Sequence, residues 1–215
     1  MNIDKILSVC DHTLLLQTAT PDQIIALCND ALKYKTASVC VPPCYVSLAK
    51  SILNENVAVC TVVGFPNGNT TTAVKCFETS EAVANGATEI DMVINIGALK
   101  AKDYDYVLKD ISAVRQSCKG KVLKVIIETC LLTDEEKIKM CELVGKAGAD
   151  YIKTSTGFGS DGATIENVRL MKANIGSQVK IKAAGGIRSV ADLEAYMAEG
   201  CDRMGSSAGL RALYE

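Results

Sequence analysis

The feature that most constrains this chain is an end-to-end alternation of short apolar runs with longer amphipathic stretches. Eight runs have strand length: Leu7–His12, Ala37–Val41, Val57–Val63, Glu89–Asn95, Val122–Thr129, Asp150–Thr154, Val179–Ala183 and Asp202–Ser206. Most are nearly continuous in Val, Ile, Leu, Met, Cys and Ala, as strands buried on both faces of a parallel sheet are. The stretches between them carry helix punctuation. Thr20-Pro21-Asp22-Gln23 offers an N-cap, a proline at the first helical position and a capping-box partner. Thr133 with Glu136 repeats the box, and Ser189 precedes a helical stretch with Asp192 in its first turn. Gly86, Gly148 and Gly200 each follow a helical stretch and lead into a strand, a weak internal repeat.

Eight strands in regular alternation with helices predict an α/β chain forming a single (β/α)8 TIM barrel over residues 1–215, after a short N-terminal lead-in. An open doubly wound sheet would want a Gly-x-Gly-x-x-Gly turn after an early strand, and the sequence has none. At 215 residues and 48% hydrophobic composition, the chain can bury a large core without disulfides or a metal. Its net charge of −2 gives no basic surface for nucleic acid or an anionic membrane. No secretory signal is apparent and no run approaches transmembrane length, so a cytoplasmic enzyme with ten reduced cysteines is expected. One histidine and no clustered thiols leave no metal site to expect.

Barrel active sites form where the strands end at their C-terminal side, so the polar residues there are the candidates. Asp11 ends the first strand, Asp91 and Asn95 lie in the fourth, and Glu128 is near the end of the fifth. Lys153 is near the end of the sixth and Lys182 of the seventh. Desolvation and a second cation both favour the neutral, nucleophilic form of an amine. Lys153 and Lys182 occupy matching positions on neighbouring strands, about 5 Å apart. Asp91 is placed to move protons, with water, during carbinolamine dehydration. The alternative is that such lysines snorkel to the rim as structural ion pairs. Lys180 shares the side of Lys182 but belongs at the opposite, stability face, and Lys124 ends no strand.

Phosphate in such barrels often binds between the loops after strands seven and eight, on backbone N–H groups. Gly185-Gly186 and Gly205-Ser206-Ser207 stand at those two places. Arg188 adds charge, and Thr156-Gly157 contribute from the sixth strand. Phe65-Pro66-Asn67-Gly68 reads as a turn forming one wall. His12 is read as structural, and Cys40 as a lining residue.

Taken together, the chain resembles the deoxyribose-phosphate aldolase family along nearly its whole length. The matching segments are Asp11-His12-Thr13-Leu14-Leu15, Ser38-Val39-Cys40-Val41, Val62-Val63-Gly64-Phe65-Pro66, Glu89-Ile90-Asp91-Met92-Val93, Lys124-Val125-Ile126-Ile127-Glu128-Thr129, Tyr151-Ile152-Lys153-Thr154-Ser155-Thr156-Gly157, Lys182-Ala183-Ala184-Gly185-Gly186-Ile187-Arg188 and Gly205-Ser206-Ser207. The resemblance implies reversible cleavage of 2-deoxy-D-ribose 5-phosphate to D-glyceraldehyde 3-phosphate and acetaldehyde, in deoxyribose catabolism. It implies a Schiff base on Lys153, with Lys182 depressing the pKa of that amine, Asp91 in the proton relay and Asp11 and Lys124 in the supporting charge network. It implies no cofactor, and small-molecule substrates rather than nucleic acid or membrane as partners. Barrel surfaces often pair, and a homodimer is considered on that ground alone. The sequence departs from some members at Phe158, where they carry a lysine able to reach phosphate, and it has no long C-terminal tail beyond Tyr214. A barrel isomerase or epimerase would need a metal held by several histidines, which the single histidine excludes, or a glutamate base with a neutral histidine, to which it leaves little room. A non-catalytic sugar-phosphate binder would have no use for Lys153, Lys182 and Asp91 together.

Overall fold

The computed structural model describes residues 3–206 together with Leu210 and Ala212. A short helix α1 (Ile3–Leu7) leads into eight parallel strands that close in sequence order: β1 (Cys10–Thr13), β2 (Ser38–Val41), β3 (Ala58–Val63), β4 (Glu89–Val93), β5 (Val122–Ile126), β6 (Tyr151–Lys153), β7 (Lys180–Ala184) and β8 (Arg203–Ser206). The last strand pairs with the first, Asp11 opposite Gly205, so the sheet has no free edge. The helices between them are α2 (Pro21–Tyr34), α3 (Val46–Leu53), α4 (Thr72–Ala84), α5 (Ile96–Lys100), α6 (Tyr104–Ser117), α7 (Asp134–Lys146), α8 (Ile165–Asn174) and α9 (Val190–Ala198). The (β/α)8 expectation is met.

The helix signals act as the sequence suggests. Capping boxes form at Thr20–Gln23, Thr133–Glu136 and Ser189–Asp192. Gly86, Gly148 and Gly200 all take positive φ where a helix hands over to a strand.

Most strand boundaries shift by one or two residues, and two shift by three. Leu7 ends α1 rather than opening β1, because Ser8 N–H and Val9 N–H bond back to the carbonyls of Asp4 and Ile6. A short apolar run does not distinguish a buried turn of helix from a strand. β5 stops at Ile126, since Glu128 adopts a left-handed conformation (φ 53°) and Thr129–Leu131 form a 3-10 turn.

Alternation along the strands divides the interior into two layers. Val39, Val59, Ile90, Met92, Leu123, Val125, Ile152, Ile181 and Met204 face outward, in the large apolar core shared with the helices. On the inward side Cys40, Cys60 and Val62 form a small apolar cluster, with Leu15 and Phe65 packed on it. Much of the remaining inward space is occupied by charged side chains.

Candidate active site

Register carries those charges to one point. Asp91 pairs with Lys124 across β4–β5, Ile126 with Lys153 across β5–β6, Lys153 with Lys182 across β6–β7, and Lys182 with Arg203 across β7–β8. Asp91 stands at the centre, fully buried. Its Oδ2 accepts from Lys153 Nζ at 2.8 Å and from Lys182 Nζ at 2.7 Å. Its Oδ1 accepts from Lys124 Nζ at 2.8 Å, and the Cys60 thiol lies 3.2 Å from it. Lys182 also donates to Asp11 Oδ2 at 2.5 Å, and Lys124 to Glu89 Oε2 at 2.6 Å. Arg203 closes the ring, bonding Asp11 Oδ1 at 2.5 Å and Glu89 Oε2 at 3.0 Å.

Taking these ions out of water is costly, and only their mutual pairing makes burial tolerable. Burial alone would raise Asp91 and Asp11. It is overridden at Asp91 by Lys124, Lys153 and Lys182, and at Asp11 by Lys182, Lys124 and Arg203, so both carboxyls sit below the usual carboxylate range. Burial alone would lower Lys182 and Lys124. It is overridden by Asp11 and Asp91 at Lys182, and chiefly by Asp91 at Lys124, so both stay cations well above the ordinary lysine value.

The cluster is uneven in charge. Three carboxylates (Asp11, Glu89, Asp91) face four basic groups (Lys124, Lys153, Lys182, Arg203). Among the described residues, Lys153 is the only one of the four with a single carboxylate partner. It is also the only one that lines the adjoining cavity.

That cavity holds about 280 Å³ and opens at the C-terminal ends of the strands. Around it lie Gly157, Phe158, Gly185, Gly186, Arg188 and Ser206. Gly205 and Thr156 line it as well. Thr156 has its donors engaged, for both its N–H and its hydroxyl bond the Glu128 carboxylate. The Ser206 hydroxyl donates to the Ile187 carbonyl at 2.8 Å. Ser207 and Tyr214 lie outside the described residues. Phe158 is half exposed and meets Phe65 edge-to-face, ring centres 5.2 Å apart, but the Phe65–Pro66 turn does not itself line this cavity. Pro66 and Asn67 line a neighbouring pocket with Glu128 and Phe158.

Other candidates fall elsewhere. Asn95 N-caps α5, accepting from Ala98 N–H at 3.0 Å. Lys180 is exposed at the far end of β7, its ammonium over the Tyr151 ring. His12 is buried with Nε2 3.7 Å from Asp30, a residue of α2. Cys40, Cys60 and Asp91 bring potential ligand atoms within 4.8 Å of one another. Lys124 already contacts Cys60 and Asp91 there, at 3.2 and 2.8 Å, and its charge opposes a metal cation. Sequence reasoning missed Glu89, Arg203 and Cys60. Period-two alternation from Asp91 and Lys182 would have found the first, since Glu89 shares the face of Asp91.

Known proteins share this architecture. The model of the DeoC/LacD family aldolases matches residues 5–214. A deoxyribose-phosphate aldolase of Clostridium botulinum (strain Eklund 17B / Type B) is 54% identical over 207 residues, 96% of this chain and 94% of that protein. One from Carboxydothermus hydrogenoformans is 56% identical over 211 residues, 96% of this chain and 92% of that protein. The tetrameric deoxyribose phosphate aldolase of Aeropyrum pernix superposes with a TM-score of 0.92 at 29% identity, covering 99% of this chain and 91% of that one.

Proposed function

The chain belongs to the DeoC/LacD family of aldolases, and from that premise we propose that it cleaves 2-deoxy-D-ribose 5-phosphate reversibly to D-glyceraldehyde 3-phosphate and acetaldehyde through a Schiff base on Lys153. The observation that carries this reading is the position of Lys153. Among the described residues it is the one basic group around Asp91 that has a single carboxylate partner and also lines the cavity, so its amine can turn to a substrate carbonyl at the loss of one ion pair.

In the cleavage direction, Lys153 Nζ adds to the C1 carbonyl of the open-chain sugar, and loss of water leaves an iminium. The C3 hydroxyl gives up its proton, the C2–C3 bond breaks, and its electrons flow into the iminium to form an enamine. D-Glyceraldehyde 3-phosphate departs, C2 is protonated, and water releases acetaldehyde. Lys182 remains a cation throughout and holds Asp91 in place. Asp91 is a weak base because several ammonium groups stabilise its anion. It therefore acts as a hydrogen-bonded bridge between Lys153 and Lys182, with water carrying protons to the substrate. Asp11 and Lys124 fix that bridge from either side. The substrate phosphate meets the backbone of Gly157, Gly185, Gly186 and Gly205, with Ser206 and Arg188 beside it.

Incubation with 2-deoxyribose 5-phosphate tests the reading. Equimolar acetaldehyde and D-glyceraldehyde 3-phosphate should appear, and Lys153→Met should abolish both. Full turnover by that variant would overturn it.

A further inference from the structure

Glu128 is a buried carboxylate outside the ring around Asp91, and among the described residues it has no ion-pair partner. Its backbone is left-handed (φ 53°), a conformation that costs a side-chain-bearing residue energy and persists where the surroundings impose it. What its carboxylate has instead of a cation is Thr156. Both oxygens lie 3.3 Å from Thr156 N, and the Thr156 hydroxyl donates to Oε2. That hydroxyl in turn accepts the Phe158 N–H at 3.0 Å. Gly159 passes so close over the carboxylate that a Cβ there would lie 3.2 Å from Glu128 Oε1.

The other end of the same loop is also pinned. Ala163 N–H bonds the carbonyls of Ala184 and Gly185, both at 3.1 Å. A Cβ on Gly162 would fall 2.3 Å from the Gly185 carbonyl, so only glycine allows the two loops to touch. The β6–α8 loop is thus fixed to the phosphate-side loop after β7 at one end and to Glu128 at the other.

We propose that Glu128 is a positioning residue for substrate recognition. By holding Thr156 it sets where Gly157 and Phe158 stand in the cavity, and so tunes affinity for the phosphate-bearing end of the substrate. It takes no part in the carbon chemistry at Lys153. This rests on the aldolase reading above and extends it to a residue that touches neither the substrate carbonyl nor the Asp91 cluster.

The test compares Glu128→Ala, Glu128→Gln and wild-type enzyme on 2-deoxyribose 5-phosphate and on unphosphorylated 2-deoxyribose, and measures borohydride trapping of acetaldehyde on Lys153. Glu128→Ala should raise KM for the phosphorylated sugar by roughly tenfold, the scale of losing hydrogen bonds to a charged group. The trapping rate and kcat/KM for 2-deoxyribose should stay within about threefold of wild type, a discrimination well inside one such bond. Glu128→Gln, whose amide oxygen still accepts from Thr156, should recover most of the phosphate preference. Equal losses on both substrates, or a Gln variant no better than Ala, would overturn the proposal. Wild-type enzyme that traps no acetaldehyde on Lys153 would instead defeat the Schiff-base reading, leaving the two failures distinct.

Discussion

Lys153 and Lys182 donate to the same oxygen of Asp91, at 2.8 and 2.7 Å, from directly paired positions on adjacent strands. One carboxylate oxygen thereby brings a candidate nucleophile and a fixed cation together inside a barrel that excludes bulk water.

Removing the fixed cation has a cost in stability as well as rate. Lys182→Leu leaves Asp11 and Asp91, both fully buried, each short of one ammonium. Breaking a buried pair from one side costs about 3–5 kcal/mol. For a chain of this size that lowers Tm by roughly 6–20 °C. Calorimetry on the variant should show that drop, together with slower Schiff-base formation at neutral pH. A Tm within about 2 °C of wild type, equivalent to under about 1 kcal/mol, would contradict the described network.

The same network predicts how stability responds to pH. Asp11 and Asp91 have folded pKa values below the ordinary 3.8, so the unfolded chain binds protons first as pH falls. Their stabilisation is fully present above about pH 5 and is lost progressively as pH drops through 4 toward the folded values. Lys182 and Lys124 are raised above 10.5, so their contribution is present below about pH 9 and fades as pH climbs past 10. Urea midpoints measured from pH 3 to 11 should form a plateau with falls at both ends. Rising stability below pH 4 would be the wrong sign.

At the proposed phosphate side, Arg188 is exposed, and Asp192 binds its backbone N–H rather than its guanidinium. Arg188→Ala should raise KM for 2-deoxyribose 5-phosphate by roughly tenfold or more, the scale of a charge-assisted hydrogen bond, and leave kcat nearly unchanged. A fall in kcat at constant KM would place Arg188 in the chemistry instead.

Thiol chemistry offers an independent check of the packing. Burial pushes Cys10 and Cys201 up to about 12, whereas Cys44 is exposed on the surface. In native protein at pH 8 a thiol reagent should label Cys44 first, with Cys10 and Cys201 labelled only after denaturation. Rapid native labelling of Cys10 would contradict the packing of β1.

Much of this was legible in the sequence. The barrel followed from eight apolar runs and the caps between them, because buried parallel strands and amphipathic helices leave unlike patterns. Lys153, Lys182 and Asp91 were visible as charges that no apolar strand would otherwise carry. Glu89 and Arg203 were harder to see, because they lie deep at the starts of β4 and β8 rather than at the rim where catalytic residues are sought. The engagement of Thr156 by Glu128 was not legible, because it depends on a left-handed residue joining loops that lie 28 positions apart in sequence. The strand-like run at Leu7 misled because burial, not periodicity, is all that an apolar stretch as short as Ile6-Leu7 encodes.

The central claim is that Lys153 is the amine that bonds to substrate. Reduction with borohydride in the presence of acetaldehyde, followed by peptide mass mapping, tests it directly. The account predicts a single added ethyl group on Lys153, absent from Lys153→Met and unaffected at Lys124 and Lys182. An ethyl group on Lys182 or Lys124 with Lys153 unmodified, or no adduct in an enzyme that still turns over, would contradict it.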